Sequence, residues 1–339
     1  MAEDPARQVA QAVLYEGYLL WPYRRSALKN QQRWTFGGVY PRPYSEARGD
    51  DPWLTRTEFL LEQATPGSTV DIRVRFLHVV RRDVARPDGP GWQRFDELTV
   101  AGTRYLSWEE SAEREVAATG LDLQSLVDTP RVLEIDVPAG EDVEWLGERD
   151  AALLRSWQAI RGEVEIRAAR VRGGVWRLTV TIGNTTAWSD QDRPQALLRT
   201  MVSTHTAAAA AGARFVSLLD PPDELREAAE GCTQTGTWPV LIGAPGDRSA
   251  MLSSPIILYD YPTVAPESPG DMFDATEIDQ LLILNTLTLT DEELREARDT
   301  DPRARQLVDR CVSLTPEQLM RLHGTMRDIR PLCAEDGVS

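Results

Sequence analysis

From Leu14 to about Ile182 apolar and polar positions alternate, the period of a β-strand rather than of a helix. The clearest run is Thr69 to Arg82. Val70, Ile72, Val74, Phe76 and Val80 share one face, and Asp71, Arg73, Arg75 and Arg81 share the other. One apolar face and one polar face predict a half-buried antiparallel strand. Leu133, Ile135 and Val137 alternate with Glu134 and Asp136 in the same way. Between Glu163 and Ile182 the pattern folds back on itself. Val164, Ile166 and Ala168 lead into Gly173-Gly174, and Trp176, Leu178, Val180 and Ile182 return. Glycines accept the positive φ angles of a tight hairpin turn. Leu54 to Leu61 and Glu97 to Leu106 are further strand candidates, and Ser107 to Thr119 and Asp150 to Ile160 are candidate helical insertions. Short strands separated by turn residues predict a sandwich or an open barrel.

Near Asp190 the pattern changes. Asp192-Arg193-Pro194 reads as a helix start, and Leu197, Leu198, Met201, Val202, His205, Ala208 and Ala209 recur at helical spacing up to Gly212. The alanine tract 207–211 fits that helix. Phe215 to Leu219, Val240 to Ile242 and Ile256 to Tyr259 read as short strands, with Gly243 to Asp247 as a turn. Tyr261 to Pro269, with three prolines, reads as a surface linker. Helix starts follow at Asp274, at the capping box Thr290-Asp291-Glu292-Glu293, at Asp301-Pro302 and at Thr315-Pro316. The expected class is α+β: an N-terminal antiparallel, sandwich-like β domain over residues 1–188, then a mixed α/β region over 189–339 that ends in helices.

Charge narrows the partners. The 339 residues carry a net charge of −16, which argues against nucleic-acid binding. No apolar run is long enough to insert in a membrane. The N-terminus lacks the apolar core of a signal peptide, and Cys232, Cys311 and Cys333 are too scattered for a disulfide framework. Both features predict a cytoplasmic protein.

The inventory of reactive groups is thin. His78, His205 and His323 are far apart in sequence, and no paired Cys-x-x-Cys suggests zinc. Parity puts His78 on the apolar face of its strand and His205 on the apolar face of its helix, the places of core histidines. A Cys232–His205 pair is the one nucleophile arrangement the second half offers. The loop Gly243 to Gly246 lacks the Gly-Lys-Ser/Thr of a phosphate loop. No catalytic residue and no cofactor is assigned on these grounds.

Two stretches invite a binding role instead. Tyr15 to Pro41 sets aromatics, glycine and proline around Arg24, Arg25, Lys29 and Arg33, and Lys29 is the only lysine in the chain. Tyr18, Trp21, Tyr23 and Trp34 supply the aromatic area, and the Arg residues supply forked donors for carboxylates. The second stretch, Glu267 to Asp279, is dense in acids. Asp271, Asp274 and Glu277 would share one side of a helix, able to meet a basic partner or hold a divalent cation. Plain helix capping explains the same acids. Residues 260–339 hold 17 acids and 8 arginines. An acidic end and a basic beginning leave two arrangements open: the ends dock on each other, or each faces its own partner.

Two strings, Leu14-Tyr15-Glu16-Gly17-Tyr18-Leu19-Leu20-Trp21-Pro22-Tyr23-Arg24 through Trp34-Thr35-Phe36-Gly37 and Glu267 through Asp279 with Leu287 to Glu293, resemble an uncharacterised bacterial family associated with gene clusters for actinobacterial-type [NiFe] hydrogenases. The resemblance runs from about Val13 to Cys311. It implies an accessory or assembly protein for a [NiFe] hydrogenase, binding a hydrogenase subunit or maturation factor, and it carries no functional residues across. Cysteine pairs for nickel–iron or iron–sulfur ligation are lacking, so the chain does not read as a catalytic subunit or an electron carrier. The expectation is a non-enzymatic protein acting by protein–protein contact. The alternative is a metal-dependent hydrolase built on Asp271, Asp274 and Glu277. A structural module of a larger assembly is the third possibility.

Overall fold

The computed structural model describes residues 5–16, 18, 24, 36–190, 192–263, 283 and 286–314. They form an α+β structure dominated by antiparallel sheet. One sheet has the order β13-β1-β11-β10-β7. Its strands are β1 (Leu54–Glu62), β7 (Arg131–Val137), β10 (Ile160–Arg172), β11 (Val175–Asn184) and β13 (Arg214–Val216). The other has the order β14-β15-β12-β2-β9-β8, with β3 and β6 also paired to β2. Here β2 (Thr69–Asp88) is the spine, joined by β3 (Gly91–Phe95), β6 (Trp108–Asp122), β8 (Gly140–Leu146), β9 (Ala151–Trp157), β12 (Met201–Ala211), β14 (Trp238–Leu241) and β15 (Ala250–Ser254). A small hairpin, β4 (Glu97–Val100) and β5 (Thr103–Leu106), stands apart from both. The helices are α1 (Pro5–Leu14), α2 (Arg42–Arg48), α3 (Ser125–Asp128), α4 (Arg193–Leu197), α5 (Arg226–Glu230), α6 (Asp291–Thr300) and α7 (Pro302–Val312). Among the described residues no helix is long and apolar enough to cross a membrane.

The core between the sheets follows the alternation. Val70, Ile72, Val74 and Phe76 of β2 point into it and meet Phe59, Val164, Ile166, Leu178, Val180 and Phe215. The hairpin from Val164 to Ile182 has its expected register, with Val164 opposite Ile182 and Ile166 opposite Val180. Gly174 takes the positive φ of +70° at its turn. Strands from both sides of residue 188 share both sheets, since β12 pairs with β2 and β13 with β1. The hydrogen-bonded framework therefore runs straight across the boundary expected there.

Several expected elements are corrected. The helix expected from Asp192 through Ala209 is cut to the five residues of α4, and Met201 to Ala211, alanine tract included, is strand β12. Alanine is a good helix former, but here β2 lies on one side and β15 on the other, and two ladders of hydrogen bonds override propensity. The small side chains have a use. Ala207 packs with Val9, Ala10 and Val13, so α1 can lie close on the sheet. The stretch Ser107 to Thr119, rich in Glu and Ala, is strand β6 rather than a helical insertion, its acids paired across the ladder with Arg73, Arg75 and Arg82 of β2. Asp150 to Ile160 is largely strand β9. The strand expected at Ile256 to Tyr259 does not form, and β15 lies just before it. The caps at Thr290 and Asp301 form as expected. Thr290 Oγ1 accepts from the Glu293 N–H at 3.3 Å while Glu293 Oε2 accepts from the Thr290 N–H at 2.9 Å. Asp301 Oδ1 accepts from the Arg303 N–H at 2.8 Å. The helix starts at Asp274 and Thr315 lie outside the described residues.

Candidate interaction site

The outer face of the large sheet is polar at Arg73 and Arg75 and apolar at Leu77 and Val79. A surface of that kind has to be covered, and the two ends of the chain cover it together. Leu14, Tyr15 and Tyr18 share one apolar cluster with Leu77, Val79 and Val202 of the sheet and with Ala297, Ala304, Leu307, Val308 and Cys311 of α6 and α7.

Polar groups line this seam. Tyr15 Oη donates to Glu113 Oε1 at 2.7 Å. Arg75 donates to Glu113 Oε2 and to Gln11 Oε1, both at 2.8 Å. The Arg303 guanidinium lies 3.7 Å from the Tyr15 ring centre. Burial, and then Glu113, hold the Tyr15 phenol well above its ordinary range. Burial pushes the Glu113 carboxyl upward too, but hydrogen bonds from Tyr15 and Gln11, with Arg75 and Arg303 nearby, bring it below the usual carboxylate value. Tyr18, 2% exposed, donates to Asp301 Oδ2 at 2.7 Å. Arg24 stands 3.1 Å from Glu293 and 3.9 Å from Glu296. Buried Arg82 donates to the carbonyls of Leu106 and Thr300 at 2.9–3.1 Å and to Glu110 at 2.7 Å.

Of the two arrangements open from sequence, the residues described here make the first: the ends dock on each other. Tyr18 and Arg24 are spent on the chain's own C-terminal helices, and Tyr18 offers a partner almost no surface. Trp21, Tyr23, Arg25, Lys29, Arg33 and Trp34 lie outside the described residues, as do Asp271, Asp274 and Glu277. Just beyond that stretch, Phe36 and Gly37 accept hydrogen bonds from Ser203 and Thr204, both at 3.1 Å, at a bulge in β12. Gly37 is required there. Its φ is +54°, and a Cβ would sit 2.5 Å from Pro255.

The reactive side chains do not converge. His205 is buried in β12, not on a helix, with Nδ1 3.1 Å from the Ser203 carbonyl. Cys232 follows α5 on the other sheet, beside Arg177 and Glu58, so the Cys232–His205 pair is not formed. Burial lowers both His205 and His78 to about 4, which keeps them neutral. Glu58, nearly inaccessible, accepts from the Thr233 N–H at 2.8 Å and from Thr179 at 3.3 Å, and it ion-pairs with Arg56. The Thr233 bond, with Gln234 bonded to the Glu58 backbone, fastens loop 231–235 to β1. Among the described residues no three His, Cys, Asp or Glu side chains are grouped to hold a metal.

A different surface stands out, and the aromatic–Arg stretch gave no hint of it. Strand β8 is an edge of the large sheet, paired with β9 alone among the described strands. Register puts Val143 opposite Leu154 and Trp145 opposite Ala152, on the face where Ala85 and Trp92 also lie. Trp145 is 42% exposed, Val143 is exposed beside it, and the Trp92 and Trp145 rings are 5.2 Å apart. The Arg149 guanidinium lies 5.7 Å from the Trp145 ring centre. The opposite face of this blade is covered: Val84, Leu146 and Leu153 pack with Leu98 and Tyr105 of the β4–β5 hairpin. The signal was present in the sequence Glu141-Asp142-Val143-Glu144-Trp145, where alternating apolar residues stand among acids. No family model matches the chain, and no curated protein is detectably similar to it.

Proposed function

We propose that this is a non-enzymatic accessory or assembly protein that works in the cytoplasm by holding a protein partner. Exposed Trp145 and Val143 on the β8 edge, with the Trp145 ring against half-buried Trp92 of β3, carry the proposal. Large aromatic area on a rigid sheet, rimmed by arginine and acid, is the composition of an interface hot spot. Val143 and Trp145 stand two residues apart on one face of an edge strand, and adjoining exposed apolar side chains rimmed by polar ones mark interaction surfaces. The pathway, maturation of a [NiFe] hydrogenase, rests on the resemblance of the two sequence strings alone. Tagged protein expressed in the native host and recovered gently should bring down a hydrogenase subunit or maturation factor. Recovery of a consistent but unrelated set of proteins would remove the hydrogenase assignment. Recovery of nothing above the control would remove the interaction role.

A further inference from the structure

The charge pattern of β8 specifies what kind of chain fits this edge. Within 140–150 there are five acids and one arginine. Glu144 is matched by Arg155 at 2.7 Å, whereas Glu141 and Asp142 have no guanidinium within ion-pair distance among the described residues. Side chains alternate strictly. Glu141, Val143 and Trp145 lie on the face of Trp92, and Asp142 and Glu144 on the other. One side of the strand's backbone is hydrogen-bonded to β9, and the other presents N–H and C=O groups with no strand against them among the described residues.

We infer that β8 accepts an extended segment of a partner protein as an added strand, basic where it faces Asp142 and Glu144 and apolar where it faces Val143 and Trp145. Backbone hydrogen bonds would supply affinity and the alternating side chains specificity. The inference rests on the interaction role proposed above and names the chemistry of the partner. A second copy of this chain is the poorer occupant. Two-fold antiparallel pairing about Val143 sets Asp142 opposite Glu144 twice, and like charges directly opposite are destabilising.

Fluorescence anisotropy with the full-length protein tests this directly. Three labelled peptides of the length of β8, 7 residues, are titrated: one alternating arginine with valine, one alternating glutamate with valine, and the arginine peptide N-methylated at alternate amides. The arginine peptide should bind saturably and more weakly as salt rises. The glutamate and N-methylated peptides should each bind about tenfold more weakly or worse. Trp145→Ala and Asp142→Lys should each weaken the arginine peptide by about tenfold. Equal binding of the N-methylated peptide, or of the glutamate peptide, overturns strand addition, and so does binding that survives Trp145→Ala. If no peptide binds but Trp145→Ala abolishes capture of the native partner, strand addition falls and the interaction role stands. If Trp145→Ala captures the same proteins as the parent, the β8 edge is not the docking surface and the inference falls with it.

Discussion

The seam under the C-terminal helices and the outer edge of β8 put opposite kinds of side chain in opposite places. In the seam, guanidinium, phenol and carboxylate are drawn under cover and matched to one another: Tyr18 to Asp301, Tyr15 and Arg75 to Glu113, Arg82 to two carbonyls and Glu110. At the edge, an indole and a valine stand in water on a strand that is otherwise acidic. Burying a charge is costly unless it is paired, so charges found under cover belong to the architecture. Apolar area left exposed contributes little to folding and remains available to a partner. Substitutions in the seam should therefore register as stability, and substitutions at the edge as binding.

The sharpest test on the seam side is Arg82→Ala. Arg82 is 6% exposed and ties β2 to the carbonyl that ends α6 at Thr300 and to the β5 end at Leu106. Its loss leaves Glu110 and two buried carbonyls short of a donor, and about 3 kcal/mol of unfolding free energy should go, read from the urea midpoint. Acid should erode the same region. Burial lowers His78 and His205 to about 4, below the ordinary histidine value, so between roughly pH 6.5 and 4 the unfolded chain binds more protons than the folded one. Their contribution is complete above the unfolded value and is lost as pH falls through that window. The urea midpoint should drop across it, and His205→Gln should flatten the drop. Glu58 and Glu113, both held below the carboxylate value, extend the loss to lower pH.

Next in size is Tyr18→Phe. The ring keeps its place against Tyr15, but the hydrogen bond to the Asp301 carboxylate goes, at a cost of about 2 kcal/mol. Arg24→Glu should cost less. It sets a third acid beside Glu293 and Glu296 at a partly exposed position, so the melting temperature should fall at low salt and recover as salt screens the repulsion. A melting temperature unmoved by either substitution would mean that the ends of the chain are not fastened to each other in solution.

What the sequence made legible followed from local rules. The β2 alternation, the Gly173-Gly174 hairpin and the Thr290 and Asp301 caps are each decided by neighbours in the chain, and each is where the pattern put it. Strands β6 and β12 were illegible for the opposite reason. Glu and Ala in β6 and the alanine tract in β12 favour helix, and only cross-strand arginines from β2 and the ladder to β15 decide otherwise. The docking of Tyr18 and Arg24 on α6 and α7 was one of two arrangements that net charge allowed, and charge alone could not choose, because pairing depends on where the chain returns. The alternation of Val143 and Trp145 is visible in the sequence, but the contact of Trp145 with Trp92, 53 residues earlier, is not, because periodicity along one strand does not reveal it.

The smallest stability effect should come from Trp145→Ala, and it divides the two regions most cleanly. The indole is 42% exposed and its main loss is the contact with Trp92, which amounts to about 1 kcal/mol. That is well under the cost of Arg82→Ala, which leaves a half-buried carboxylate and two carbonyls short of a donor. If the edge were simply a frayed part of the core, stability and partner capture would fall together and in proportion. The expected outcome is that they separate: a urea midpoint close to that of the parent protein, with capture of the partner lost. A Trp145→Ala protein that melts much earlier than the parent would assign this pair to the fold and return the search for a docking surface to the rest of the molecule.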